Sequence, residues 1–582
     1  MDQYVRVWIK LAEFVITNVT CSQKWESAAH KSDMNNSAIN MTINNSDAFT
    51  AVNDRFLQLD SRPHAPIPTA TLQEAMALVD ASGVADLFVE WATEDGKTVR
   101  ATRLSARQVL AVWIALELAQ RESTISNVTS ALSEHLTPAR RRALGLTDDF
   151  LKHSREQVAR MVRRATVALT DLMDAFPTST RGRRLTKGEW DGVLAERASI
   201  SVELEQRRKR FLAFANRLLE AQHKIAAVSD SQQGVSVVVD SRFRSAGVRG
   251  VGQRRMDALG DTGRVSLEPD AGFWVQDPTG ADRQARYGWE DELAVLISSD
   301  PGQPRSVPNI VIGFNPHLPS SGFATAAAEM LHDIAGRGAG LDHVVLDRAY
   351  MATRPDVLRT PLMNLGVKLV ADYPTNRLGV QALSDTGILV DGTWYAPSLP
   401  VELQDAGREF ASVRGGAALS DRMEAAKVLK KKVTARAEFS RQHPRATDVS
   451  DRDEQHYPYK SEQWNKVNGM GRGAFETYAA ALSRTEQNRP GRRRMRGATA
   501  LAFLGLLEVV GTNARILEDF RAAQQRPRTR TVVLPPLAPA AAPPVSRESS
   551  DCRPKQLRQP VLMCPAVGKT SSSPCKKREA GN

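Results

Sequence analysis

The chain has 582 residues, too many for one compact core, so two to four domains are expected, and its 42 % hydrophobic residues are enough to bury a sizeable core. Its formal net charge of +12 and pI of about 9.6 point toward a polyanionic partner, most often nucleic acid. The four cysteines, Cys21, Cys552, Cys564 and Cys575, fall near the two ends and form no CxxC pair, which argues against structural zinc and a disulfide framework.

Residues 1–64 are rich in Asn, Ser and Thr after a first apolar stretch and are expected to be poorly ordered. That stretch, VWIKLAEFVITNV, is too short and too charged to span a membrane and lacks the basic start of a signal peptide. The expected location is therefore the cytoplasm, a reducing compartment. Residues 65–230 read as helical. In LSARQVLAVWIALELAQRES, Ser105 is a candidate N-cap and Gln108 completes a capping box. In LTPARRRALGL, Thr137 caps, Pro138 takes the first helical position and Gly145 stops the helix. The segment STISNVTSALSEHL fits either a helix-turn-helix or an ordinary bundle. The stretch 149–228 reads as longer helix and carries the basic run RRKR at 207–210.

At 234 the texture changes. GVSVVVDSRF, GFWVQ, ELAVLISS and NIVIGFNPH read as strands. FATAAAEMLHDIAGRG reads as a helix, HVVLD as a strand, TRPDVLRTPLMNLG as a helix and VKLVADYP as a strand. Residues 376–470 are mixed and basic. GRGAFETYAAALSRTEQ and TALAFLGLLEVVGTNARILEDFRAAQ then read as helices, and 526–582 as a disordered Pro-rich basic tail. The order predicts an α/β fold, with an antiparallel meander followed by strand–helix units.

Three acids stand out by position. Asp240 ends the first strand, Asp347 ends HVVLD, and Glu476 lies on the helix after the mixed region. An ionised carboxylate is costly inside a core, whereas at a strand end it can reach a metal or a substrate. Converging carboxylates suit Mg²⁺ or Mn²⁺ and two-metal phosphoryl transfer. Equally, Asp at a strand end is a common cap or turn starter.

The strand–helix order and the three acids resemble the ribonuclease-H-like mixed-sheet core of DDE-type transposases of bacterial insertion sequences. The resemblance runs from about 234 to 522. VVLDRAY is similar to the family's Asp-Arg-Gly-Tyr block, with Ala349 in place of glycine. RYGWEDELAVLIS and PNIVIGF resemble the stretch between its two aspartates. WNKVNGMGRGAFETY resembles its glutamate segment, giving Trp464, Arg472 and Glu476. RRRMRGATALAFLGLLEVVGTNARIL resembles the following helix, including Arg496, Gly497 and Asn513. A related group carries Y-x2-R-x3-E-x6-K. Here Arg472 and Glu476 keep the spacing, Asn468 and Gly469 hold the tyrosine positions, and Ser483 holds the lysine position with Arg484 beside it.

The resemblance implies a transposase that cleaves and joins DNA strands at element ends. Asp240, Asp347 and Glu476 would hold Mg²⁺ or Mn²⁺, and Arg472, Arg484 and Arg348 would contact phosphates. The partner would be double-stranded DNA, bound at the terminal repeats and at the target, with a homodimer on DNA and a nucleoid-associated location. Residues 65–230 would bind DNA. The core would span 231–375, be interrupted by an insertion at 376–470, and resume at 471–525 with the third acid. A catalytically inactive, transposase-derived DNA-binding protein and a ribonuclease-H-like nuclease are the alternatives.

Two further signals carry less. GVRGVGQRR has the glycine order G-x-x-G-x-G rather than that of a dinucleotide loop. His343 shares a strand face with Asp347, and a satisfied core histidine is the simpler reading.

Overall fold

The computed structural model describes residues 66–97, 104–135, 137–178, 183–225, 234–276, 284–338, 340–414, 418–441, 453–483 and 495–525. The segments 1–64 and 526–582, Arg484, and residues 492–494 of the basic run RRRMR lie outside them.

Between 66 and 225 the described chain is helical. The local signals work as expected. Ser105 Oγ accepts from the backbone of Gln108 at 3.2 Å, and Gln108 Oε1 accepts from the backbone of Ser105 at 2.9 Å. Thr137 caps helix Pro138–Leu144, and Gly145 ends it with φ 65°. Helix Ala106–Leu118 is buried from Val109 to Glu117, so it is a core element with no solvent face.

Among the described residues, the main sheet is built from Val235–Ser245 (β1), Gly272–Gln276 (β2), Gln284–Ile297 (β3), Val311–His317 (β4), Leu341–Leu346 (β5) and Lys368–Ala371 (β6). They form one mixed sheet in the order β2-β3-β1-β5-β6, with β4 also paired to β3. The β2, β3, β4 and β1 pairings are antiparallel, while β1, β5 and β6 run parallel. The protein is thus of the mixed α/β class.

Several elements differ from the sequence reading. β1 does not end at Asp240 but runs on to Ser245, because residues 240–245 stay paired with β3. β3 begins at Gln284, because residues 284–288 pair with β2, and tertiary pairing outweighs the weak strand preference of Ala285 and Gly288. The helix expected over TRPDVLRTPLMNLG shrinks to Arg359–Asn364. Pro355 lacks an N–H, and the chain before Arg359 turns instead.

One hydrophobic core runs from the helical layer through the sheet. Helix Ala498–Gln525 is its centre. Phe503 meets Trp113 edge-on and stacks on Phe214, both with ring centroids 6.0 Å apart. This helix is long and apolar enough to cross a membrane, but 83 % of its most apolar window is buried inside the fold. Its Asn513 accepts from Val311 N at 2.9 Å and donates to Val311 O at 2.8 Å, while Asn216 accepts from Phe314 N. These amides cover polar backbone groups of β4 that would otherwise be buried unpaired.

Residues 376–470 hold a second small sheet, Val380–Leu383 (β7), Ile388–Val390 (β8) and Thr393–Tyr395 (β9), followed by helices Val401–Gln404, Ala406–Arg414 and Leu419–Arg436. The chain then returns along β6, where the backbone of His456 donates to Leu369 at 2.9 Å. The helix bearing Glu476 starts at Glu462, earlier than expected, and runs to Ser483.

Candidate active site

The run Val235–Val239 is buried, and Asp240 is the first residue of β1 with partial exposure. In the parallel register, Val239 pairs with Leu346 and Leu346 with Ala371. The next residue of each strand is an aspartate. Asp240, Asp347 and Asp372 therefore stand level on neighbouring strands, which lie about 4.8 Å apart. Each carboxylate accepts the backbone N–H of the residue that follows it: Ser241 at 2.8 Å, Arg348 at 2.7 Å and Tyr373 at 3.1 Å. β5 and β6 end just before their aspartates, whereas β1 runs on to Ser245 beside β3, so the three carboxylates stand where the parallel pairing stops.

Helix Glu462–Ser483 packs on β1, β3, β5 and β6. Gly471 lets it come close, since a Cβ there would stand 3.0 Å from a methyl of Val345. The close approach delivers Arg472. Its Nη1 lies 2.9 Å from Asp240 Oδ2 and 3.7 Å from Asp347 Oδ2. One guanidinium thus serves two carboxylates. Asp372 is supplied separately, with Tyr459 donating its hydroxyl at 2.6 Å and Lys460 Nζ at 3.7 Å. Lys460 in turn lies 3.9 Å from the centre of the Trp464 ring.

Burial pushes the Asp240 carboxyl up to about 7, with the charge of Asp347 adding to the rise and Arg472 opposing it. Such a site favours more positive charge than Arg472 supplies. The donor set is hard carboxylate oxygen converging on one cationic nitrogen, which suits Mg²⁺ or Mn²⁺. Magnesium is commonly held by one or two carboxylates, with waters and substrate phosphates completing its shell. Asp240 and Asp347 fit that role.

Glu476 does not join them. It lies one turn beyond Arg472 on the same helix, and its side chain is exposed. Among the described residues, no group of three or more acids, histidines or cysteines is arranged to hold a metal ion. Two of the three predicted acids are thus brought together, and the third stands at the surface. Arg348 is exposed on the turn after Asp347.

Other sequence signals find structural roles. His343 is buried at the opposite end of β5, some 13 Å along the strand from Asp347. Its Nδ1 meets Asp342 at 2.7 Å and its Nε2 meets the Tyr457 hydroxyl at 2.9 Å. The basic run at 207–210 is largely neutralised within the fold. Arg207 pairs with Glu203, Arg208 with Glu205 and Glu329, and Arg210 with Glu94 and Asp95. Arg496 pairs with the buried Glu268, which also accepts from the backbone of Gly497. Gly250 lies beneath the rings of Tyr287 and Phe273, where a Cβ would clash, so packing explains that glycine.

Sequence reasoning missed two features. Asp372 follows the apolar run LVA just as Asp347 follows VVL, so the same signal was present. Glu292, on β3, is fully buried and bonds to Tyr350 and His317. It is one of three consecutive acids in WEDEL, and nothing local sets it apart.

Comparison with known proteins gives no match: no family model, no curated protein and no solved structure is similar to this chain.

Proposed function

We propose that the chain is a metal-dependent DNA strand-transferase of the DDE type, built on a ribonuclease-H-like core. The observation that carries this reading is the meeting of Asp240 and Asp347 where the parallel pairing of β1 with β5 stops, with Arg472 between them. The strand order supports it. Leaving out the short β2, the acids sit at the first and fourth strands, and an inserted module precedes the helix of Glu476. That is the arrangement the resemblance to insertion-sequence transposases implies.

Asp240 and Asp347 would hold Mg²⁺ or Mn²⁺, which when bound supplies Lewis-acid activation at a phosphate. Arg472, once displaced from the aspartates, would donate two parallel hydrogen bonds to a phosphate, a geometry lysine cannot match. Arg348 is exposed beside Asp347 and would meet the same backbone. Exposed Arg160, Arg163 and Arg164 on helix Arg155–Asp171 offer a further basic face for DNA. Because the helical layer shares its core with the sheet, its part in DNA binding is tested by surface substitution and not by truncation.

A second reading rests on Glu476. With that side chain exposed and outside any metal-capable group, the fold also suits a DNA-binding protein without catalysis. The deciding experiment incubates the protein and Mg²⁺ with a linear duplex carrying the DNA that flanks its gene. The expected result is strand cleavage that leaves 3′-hydroxyls, followed by joining to a second duplex. Binding without cleavage favours the second reading, and cleavage without joining favours a nuclease.

A further inference from the structure

Glu292 is fully buried on β3, opposite Ser241 and next to the level of Asp240. It is not left as a lone charge. Its Oε2 accepts the Tyr350 hydroxyl at 2.6 Å, and its Oε1 meets His317 Nε2 at 3.1 Å. His317 Nδ1 faces two carbonyl oxygens, of Leu318 at 2.8 Å and Ser321 at 3.1 Å. Carbonyls only accept, so Nδ1 carries a hydrogen. Tyr350 lies three residues after Asp347, and its backbone N–H donates to the Asp347 carbonyl at 3.1 Å. From the other side, the buried Arg359 donates to the carbonyls of Met351 at 2.7 Å and Thr353 at 2.9 Å. The turn that starts at Asp347 is thus tied at two places to groups inside the fold.

We infer that Glu292, acting through the Tyr350 hydroxyl, is a positioning residue that holds Asp347 level with Asp240 so that both carboxylates meet one cation. The inference rests on the reading of that pair as a metal site. Glu292 touches neither carboxylate. It anchors the turn from behind, across β3 and β1, through the hydrogen bond it accepts from the Tyr350 hydroxyl. Gln at this position preserves the link. Its Oε1 accepts from Tyr350, and its amide donates to the Nε2 of a neutral His317, whose Nδ1–H stays on the carbonyls.

The test uses the full chain and Mn²⁺ alone, with bound and free Mn²⁺ separated by electron paramagnetic resonance. Tyr350→Phe is expected to weaken Mn²⁺ binding about tenfold, in the range reported for outer-shell partners of metal ligands. Glu292→Gln is expected to stay within about threefold of the unmodified protein, because the acceptor remains. Tyr350→Phe leaves a buried carboxylate short of a donor, so the double variant Glu292→Gln/Tyr350→Phe is measured alongside it. Without that charge the double variant is expected to fold and to show the same tenfold loss. Unchanged binding in the double variant overturns the inference. A loss in Glu292→Gln equal to that of the double variant also overturns it, since charge and not the hydrogen bond would then be responsible. Asp347→Asn serves as the control. If it binds Mn²⁺ normally, the metal-site reading itself fails, and that outcome is distinct from the other two.

Discussion

Two charged clusters lie on the same face of β1, four residues apart, and are built on opposite plans. Arg244 grips Asp291 with two hydrogen bonds, at 2.9 and 2.6 Å, and both side chains are almost completely buried. The Trp289 ring lies 5.9 Å from the guanidinium. That pair has one acid, one base and no access to water. At Asp240 the ratio is two acids to one arginine, and the side chains of Asp240, Asp347 and Arg472 keep 22–36 % of their exposure. The first cluster is neutral and closed, as a structural ion pair must be to offset its desolvation. The second sets two carboxylates against one guanidinium at an accessible edge, an excess of acid that suits the binding of a further cation.

If that contrast is functional, Asp347→Asn has the largest effect. The substitution keeps the size of the side chain and removes the charge that would hold a metal. Mg²⁺-dependent cleavage should fall by about 10⁴-fold or more, equivalent to roughly 5.4 kcal/mol. Folding and DNA binding should change little, which circular dichroism and gel-shift titration would check. Full cleavage by the variant would remove Asp347 from the mechanism.

Asp291→Ala tests the other cluster. It strands the buried Arg244 without its partner, so unfolding free energy should drop by about 3–5 kcal/mol in urea titrations. Mn²⁺ binding measured below the transition should be unaffected. A loss of stability under about 1 kcal/mol would mean that the pair is not closed in the sense argued above.

The third prediction concerns pH and has the smallest effect. The Asp240 carboxyl, raised to about 7 by burial, stands above its ordinary value of 3.8. Between those values the folded chain keeps a proton that the unfolded chain has released. Its contribution to stability is therefore full below about pH 4 and is lost as pH rises through about 7. The difference between 3.8 and about 7 caps the change at roughly 4 kcal/mol, and partial exposure makes about 1–2 kcal/mol the expectation. With EDTA present, urea midpoints should fall from pH 5 to pH 8 in the unmodified protein, and fall less in Asp240→Asn. Equal slopes in the two proteins would show that Asp240 ionises like an ordinary surface acid.

Much of the local structure was legible because its causes are local. Ser105 with Gln108, and Thr137 with Pro138 and Gly145, act within a few residues of one another and behave as written. The apolar runs before Asp240 and Asp347 announce strands for the same reason, and at Asp347 the strand's end as well. Where pairing or proline chemistry intervened, at 284–288 and at 355–358, the local reading failed.

The sequence by itself determined the α/β class, the apolar runs that lead into Asp240 and Asp347, and the helix that carries Arg472 and Glu476, whereas β1 continues past Asp240 to Ser245 through its pairing with β3. The tertiary structure decided which of those groups meet. Arg472 and Asp240 are 232 residues apart, and their contact depends on the parallel register of β1 with β5 and on the close seat of Gly471 against Val345. It also placed Asp372 in the row, turned Glu476 outward, and tied Tyr350 to Glu292. Register and helix seating are set by the packing of the whole core, so they leave no mark on the spacing of neighbouring residues.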